Sequence, residues 1–399
     1  MRPLTVLVTD GEQRAALAIV RSLGRAGYLV HVASAHRRSL AGGSRWCATE
    51  TVVPDPEADP AAFAGEVEAL LSRLGADTLI PVTEASLLAL LPLRARLDPV
   101  CLPFPDAAAF AAISDKSLVL QRARTVGIAV PEQRIITDRD AAGRLPPDLP
   151  FPVVLKPARS VVESNGRRVK LGVRHAAGPA QLAHELAAVD PAAFPVLLQQ
   201  RVIGPGVGIF LLRWNGRTIA SFAHRRIREK PPSGGVSVYR ESIAADPELV
   251  ALSTSLLDTF DWQGVAMIEY KLDEVTGTPY LMEINGRFWG SLQLAIDAGV
   301  DFPRLLLDCA LGTTPDPVTA YRTGIRSRWW WGDVDHLLSR VRRSSRALNL
   351  PPGDPSRLGA VARFLILWRP GDRNEVLRLS DPRPFLRESR AWFRNLHGT

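Results

Sequence analysis

Lysine is nearly missing from this chain. Of 49 basic residues only Lys116, Lys156, Lys170, Lys230 and Lys271 are lysine, so ordinary surface charge here is carried by arginine. The positions that stay lysine are candidates for work a guanidinium fork does badly, such as setting a compact point charge on a phosphate. Cysteine is as scarce. Cys47, Cys101 and Cys309 stand far apart, outside any CxxC or Cys/His pattern, which supports neither a disulfide framework nor a zinc site and leaves them as buried small hydrophobes. No uncharged apolar run reaches the roughly 18 residues needed to span a bilayer, and the opening MRPLTVLVTDG reads as a first strand rather than a secretory signal. A soluble, cytoplasmic protein without a transmembrane segment is expected.

The net positive charge is unevenly placed. Residues 320–399 hold 16 arginines against 7 acids, whereas the formal charge of the whole chain is +8. The main body is therefore close to neutral, which argues against a nucleic-acid role for it. With 399 residues and 46% hydrophobic content, the chain is long enough for two to three domains.

The apolar strand LTVLVT (4–9), a helix-spaced segment (13–27) and the strand YLVHVAS (28–34) form a βαβ unit and hence a parallel sheet. Helix 61–74, strand 77–82, helix 84–91 and strand 100–104 continue the pattern, so the first 110 residues predict a Rossmann-like layer. It lacks GxGxxG after the first strand, and no dinucleotide site is inferred. A helix is expected over 114–127, capped by Ser114 or Asp115. After a linker rich in Pro and Asp, strands are expected at 151–157, 167–173, 196–202, 208–214 and 216–226, predicting a second, mostly antiparallel sheet, with helix 247–260 after it. Beyond about residue 312 the sequence turns irregular; Leu337, Leu338 and Val341 suit a short amphipathic helix.

The stretch MIEYKLDEVTGTPYLMEINGR (267–287) reads as a hairpin turning near Thr276. Glu269 and Glu283 then lie opposite one another with Cβ atoms about 5 Å apart, and Lys271, Asn285 and Arg287 share their face by the two-residue period. Facing carboxylates repel or share a proton unless a cation separates them. Two carboxylates and an amide oxygen suit a hard divalent cation, Mg²⁺ or Mn²⁺, that completes its shell with water and phosphate. Upstream, Lys156 lies inside the apolar strand FPVVLKP, where an unpaired ammonium is costly, and Lys116 begins a helix, where the dipole disfavours a cation without an anion nearby. QQRVIGPGVG (199–208) is a strand running into a Gly/Pro turn, able to offer backbone groups to the edge of a base. HRRIREKPPSGGVSVYRES (224–242) gathers arginines around a turn and suits a carboxylate or acyl phosphate, with Arg226 and Arg228 favoured.

Lys116 before a helix, VVLKP, QQRVIGPG, IEYK and MEINGRFWG, in this order and spacing, resemble the ATP-grasp superfamily of ATP-dependent carboxylate-amine ligases, and the arginine-rich stretch resembles its carboligase-like branch. The resemblance implies a pre-ATP-grasp layer (1–110), a small lobe with its linker helix (111–195), a large lobe with the metal site (196–312) and, beyond the family pattern, a basic C-terminal extension (313–399). It implies ATP phosphates on Lys116 and Lys156, and adenine along Gln199, Gln200, Arg201, Val202 and Ile203, with Lys271 at the nucleotide. Metal is implied on Glu269, Glu283 and Asn285, and Arg287 lies near the transferring phosphate. Catalytic work falls to Arg287, Lys156, Arg226 and Arg228; no general base stands out, and His224 is a candidate only by its proximity to the arginine-rich loop.

The implied reaction phosphorylates a small-molecule carboxylate and passes the acyl group to an amine; bicarbonate chemistry and a non-catalytic ATP-binding accessory role are the alternatives. A homo-oligomer is left open. The pattern departs from the family at SVVESNGRR (160–168), which has one glycine where a Gly/Ser-rich loop is usual, at Gln200 in place of glutamate, and at Gly286 in place of proline.

Overall fold

The computed structural model describes residues 2–142, 145, 149–158, 161–164, 167–170, 172–351, 353–365 and 372–397, without the side chains of residues 139, 142, 161–164, 167–170, 192 and 397. The N-terminal layer runs β1 (Thr5–Val8), α1 (Arg14–Arg25), β2 (Leu29–Ser34), β3 (Cys47–Val52), α2 (Pro60–Leu74), β4 (Thr78–Ile80), α3 (Glu84–Leu90) and α4 (Arg94–Leu97). Its four strands are parallel in the order β3-β2-β1-β4. The expected strand at 100–104 is reduced to a single bridge between Thr78 and Cys101, and β3, whose polar CATETV lacks apolar alternation, was not foreseen. Local chemistry sets the helix ends: Asp59 caps α2 ahead of Pro60, and Gly75 ends it in the left-handed region.

Two helices, α5 (Ala107–Ser114) and α6 (Lys116–Thr125), lead out of this layer. The small lobe holds β5 (Gln133–Ile136), α7 (Arg139–Ala142), β6 (Val153–Pro157), β7 (Val161–Ser164), β8 (Arg167–Lys170), β9 (Arg174–Ala176), α8 (Pro179–Ala187) and β10 (Val196–Gln200). Its sheet is antiparallel, β5-β10-β6-β9, with β7 and β8 as a separate two-stranded ribbon. The expected strand 167–173 is shorter, ending with β8 at Lys170, and β9 begins only after it. Val153, Leu155, Leu182, Leu186, Val196 and Leu198 form a core of the lobe's own.

The large sheet contains β11 (Gly206–Trp214), β12 (Arg217–Lys230), β13 (Val236–Ile243), β14 (Gly264–Leu272) and β15 (Pro279–Asn285), with α9 (Pro247–Asp258) inserted before β14 and α10 (Leu292–Ala298) and α11 (Phe302–Ala310) after β15. Its core is continuous with that of the N-terminal layer. The region expected to be irregular is ordered into β16 (Arg326–Arg328), α12 (Trp330–Arg342), α13 (Arg357–Leu365), β17 (Asp372–Asn374) and α14 (Arg383–His397). β16 and β17 extend the large sheet to seven strands, β15-β14-β11-β12-β13-β16-β17. From there the chain returns to the N-terminal layer. Arg21 on α1 is fully buried against Asp381 and the carbonyls of Glu375 and Val376, and Arg387 on α14 reaches the Ser39 carbonyl and Glu50.

Candidate active site

Strands β14 and β15 pair antiparallel with Glu269 opposite Glu283, Ile268 opposite Ile284 and Met267 opposite Asn285. Beyond the glutamates the register slips: Tyr270 faces Leu281 and Lys271 faces Tyr280, so Met282 is the extra residue of a β-bulge. The facing carboxylates stand as expected, and the slip moves only the outer end of the hairpin.

Three separate elements supply the cations that make this pair tolerable. Lys116 Nζ, at the first turn of α6, lies 3.4 Å from Glu283 Oε2. Arg226 Nη2, on β12, lies 2.5 Å from Glu269 Oε2 and is also bonded to Glu229 and the Gly235 carbonyl. Lys156, on β6, has its ammonium 3.7 Å from Met282 Sδ and within the field of both glutamates. Backbone geometry fixes the two lysines together, because the Lys116 amide donates to the Ala158 carbonyl at 2.9 Å, two residues beyond Lys156. Asp115 caps α6 through the Leu118 amide.

The charges resolve unequally. Burial pushes the Glu283 carboxyl up, but Lys116, then Lys156, then the amide of Asn285 outweigh it and hold it at about 2. Burial pushes Glu269 up as well; Arg226 opposes, Glu283 and Glu229 reinforce, and the net direction is upward. Burial lowers Lys156 to about 8, with Lys116 adding to the effect and Glu283 working against it. The cluster is a set of opposed charges under tension, held in a small cleft lined by Glu84, Lys116, Glu283, Asn285 and Arg287.

Asn285 Nδ2 donates to Glu283 Oε1 at 3.2 Å, and Arg287 Nη2 donates to Asn285 Oδ1 at 3.0 Å, so the three side chains follow one another into the cleft. Gly286 has a steric reason: a Cβ there would come within 2.4 Å of the Trp262 ring, which also leaves no room for the proline common in related sequences. Among the described residues no group of three or more His, Cys, Asp or Glu is arranged to hold a metal. The donors present are two partly buried carboxylates and one amide oxygen. That set fits a hard divalent cation that shares its remaining positions with phosphate oxygens, and fits poorly a cation needing an all-protein cage.

Other expected residues are placed differently. Arg228 does not join the cluster: its guanidinium makes two bonds, 2.5 and 2.6 Å, to Asp333 of α12 and lies over the Tyr239 ring. His224 is fully buried behind Arg226, with Phe210 edge-on to it and Ser291 Oγ at 3.4 Å. Burial, with Arg226 and Arg240 beside it, lowers its pKa well below the ordinary value, so it is a neutral packing residue and not the base. At the expected adenine segment, Gln199 is buried and bonded to Gln133. The Gln200 and Arg201 amides are spent on the Glu132 and Pro152 carbonyls, and the Ile203 carbonyl accepts from the Glu274 amide. The segment therefore offers fewer open backbone groups than its sequence suggests. Val202 continues it, and Lys271 Nζ donates to the Gly204 carbonyl at its end. The loop 160–168 falls partly outside the described residues, which include only the backbone of its two flanking strands. A larger cavity of about 310 Å³ touches Gln199 and Gln200, but Val153 and Leu198 line it from the side of the small-lobe core, opposite Lys156. It does not belong to the charge cluster.

Glu84 was not singled out in the sequence. It starts α3 directly after β4, at the carboxyl end of a parallel strand, which is the edge where open α/β sheets gather ligands. Its loop is pinned by Asp10, a buried residue at φ 57° whose carboxylate accepts from the Val82 and Thr83 amides and from the Thr83 and Ser86 hydroxyls.

Residues 193–331, which include the hairpin and the arginine-rich stretch, match the family described as ATP-grasp in the biosynthetic pathway with Ter operon. No curated protein matches the chain. In fold it is similar to biotin carboxylase from Campylobacter jejuni, solved as a β,γ-ATP complex, with TM-score 0.65 and 16% identity over 82% of this chain and 74% of that one. L-amino acid ligase from Bacillus licheniformis gives TM-score 0.61 and 19% identity over 79% and 76%. N5-carboxyaminoimidazole synthetase from Staphylococcus aureus, solved with ADP, gives TM-score 0.61 and 14% identity over 81% and 80%. The chain has the ATP-grasp fold, and its residues 193–331 match the model of an ATP-grasp family.

Proposed function

We propose that the protein is an ATP-dependent ligase that activates a carboxylate as an acyl phosphate for attack by an amine. The observation that supports this most is the opposed pair Glu269 and Glu283, compensated by cations from α6, β6 and β12 and followed into the cleft by Asn285 and Arg287. A carboxylate oxygen is a poor leaving group. Transfer of the γ-phosphoryl group to it gives an acyl phosphate and ADP; the amine then displaces inorganic phosphate, forming the C–N bond.

Such a transfer needs positioning and charge stabilisation more than covalent help from the protein. Lys116 and Lys156 hold the phosphate chain, and Arg287 steadies the transferring group. Glu269, Glu283 and Asn285 are the residues that would hold Mg²⁺ or Mn²⁺, whose contribution is to neutralise charge between the phosphates. Arg226 orients Glu269 rather than touching substrate. The segment 199–203, with Lys271, borders the base. Amine and carboxylate enter from the side of Glu84.

Phosphorus NMR with ATP, magnesium and pools of amino acids, small carboxylates or bicarbonate tests this reading. Pool-dependent ADP and phosphate are expected, with carboxylate and amine required together. Turnover on bicarbonate alone moves the assignment to carboxylation, and AMP with pyrophosphate overturns the acyl-phosphate mechanism. ATP binding without turnover in any pool favours the accessory role.

A further inference from the structure

The C-terminal extension is polarised in a way the active site does not use. From residue 320 on, all seven acidic side chains take partners in the protein: Asp333 from Arg228 and Arg328, Glu375 from Arg14 and Arg240, Asp381 from Arg21, Glu388 from Trp329, with Asp335, Asp354 and Asp372 bonded likewise. Arg342, Arg343, Arg357, Arg363, Arg390 and Arg394 are exposed and have no ion pair among the described residues. The acids face inward and unpaired arginines face out.

The same elements also carry exposed apolar side chains. Of the 16 large apolar side chains exposed among the described residues, eight lie between 341 and 396. On α13, Leu358 is 83% exposed and Leu365 74%; seven residues apart, they share one face, while Phe364 turns inward onto Trp330. On α14, Leu386 is 51% exposed and Phe393 49%, again seven apart, whereas Trp392 stacks inward on Trp331. Single exposed leucines need no explanation. Two helices that each offer an apolar pair at this spacing, flanked by unpaired arginines, form a surface of one kind.

We infer that the outer face of α13 and α14 docks the protein on an anionic lipid surface. The chemistry complements on both counts: unpaired guanidinium groups meet lipid phosphates, and Leu358, Leu365, Leu386 and Phe393 enter the boundary between headgroups and acyl chains. Nucleic acid would satisfy the arginines but leave the leucines in water. A second copy of the chain would bury the leucines but bring like charges together. No helix among the described residues is long and apolar enough to cross a membrane, so the attachment is peripheral and salt-sensitive.

Full-length protein is sedimented with vesicles of phosphatidylcholine alone and with vesicles that also contain phosphatidylglycerol. Binding to the anionic vesicles only is expected. The pair Leu358→Asp and Leu365→Asp, and separately Arg357→Gln and Arg363→Gln, each weaken it at least about tenfold. All four side chains are exposed, and unchanged circular dichroism and melting verify the fold of each variant. The inference is overturned by no binding, by equal binding to both vesicles, or by anionic binding that the leucine changes leave intact. It is also overturned by a solution dimer that those changes split, which assigns the face to a second copy. Displacement from vesicles by RNA at equal phosphate concentration overturns it too, assigning the face to nucleic acid.

Discussion

Arg226 and Arg228 stand two residues apart on one strand, and a regular strand would aim both at the same face. β12 is not regular there. Its pairing with β13 shifts between 226 and 228 and again before 229, and the two guanidinium groups part company. Arg226 reaches Glu269 on β14, a carboxylate with side-chain exposure of 16% beside Glu283 at 33%. Arg228 reaches Asp333 on α12, whose exposure is 0% and which also takes a bond from Arg328. The second knot is closed: one acid, two cations, no room for anything else. The first is open on one side, with two acids whose affinities for protons are pushed apart. Ion pairs of the same chemistry thus serve cohesion in one place and leave a receptive site in the other, and what separates them is access: Asp333 is wholly buried, whereas Glu283 borders an open cleft.

The sharpest way to break this contrast is to remove charge from the open cluster. Glu283→Gln is expected to lower the magnesium-dependent ATP turnover of the folded protein at least about 10³-fold, about 4 kcal/mol of transition-state stabilisation, and to lower the melting temperature as well, since Lys116 and Lys156 lose the counter-charge that holds Glu283 at about 2. Steady-state kinetics and a thermal melt check both halves, and an active variant would remove the metal assignment. The closed knot should answer in stability alone. Asp333→Asn leaves Arg228 and Arg328 buried without their counter-charge and costs about 3 kcal/mol of stability by urea denaturation, with the turnover of the folded fraction little changed.

A third test uses pH. Lys156 is held at about 8 by burial first, so its charge is present below that value and lost above it. The Michaelis constant for ATP is expected to rise about tenfold per pH unit once pH passes 8, and Lys156→Arg, which keeps its charge, should flatten the profile even where it weakens binding. The smallest effect lies in the extension. Burial raises Glu388, bonded to Trp329, to about 7. The folded state therefore binds more protons than the unfolded one between about pH 4.5 and 7, and stability falls as pH rises through that window. Glu388→Gln is expected to remove about 1 kcal/mol of that dependence, read from melts at pH 5.5 and 8.

The hairpin was legible from its two apolar strands and their turn, but its facing glutamates rest on two departures that cancel: the pairs Lys271–Tyr280 and Leu272–Pro279 centre the turn before Thr276, and the extra residue Met282 brings Glu269 back opposite Glu283. The bulge at Met282 was not, since MEI and LME alternate equally well with or without an extra residue. Lys116 and Lys156 were legible because a cation at a helix start and another inside an apolar strand both violate local preference. Arg228 was misread because its partner lies 105 residues away on α12, and nothing in RIREK separates a guanidinium that waits for substrate from one already paired. The extension hid for a similar reason. β16 and β17 are three residues each and rich in arginine, and they become strands only because β13 offers an edge to be completed.

That late completion bears on how the protein is made. Arg14 and Arg21 belong to the first helix and Arg240 to the middle of the large sheet, yet the groups that balance them, Glu375 and Asp381, come much later in the chain. A nascent chain can assemble the early layer and most of the sheet, but it carries three guanidinium groups facing an interior with no counter-charge until the ribosome has passed residue 381. A chain interrupted before residue 381 therefore carries these guanidinium groups without their counter-charges.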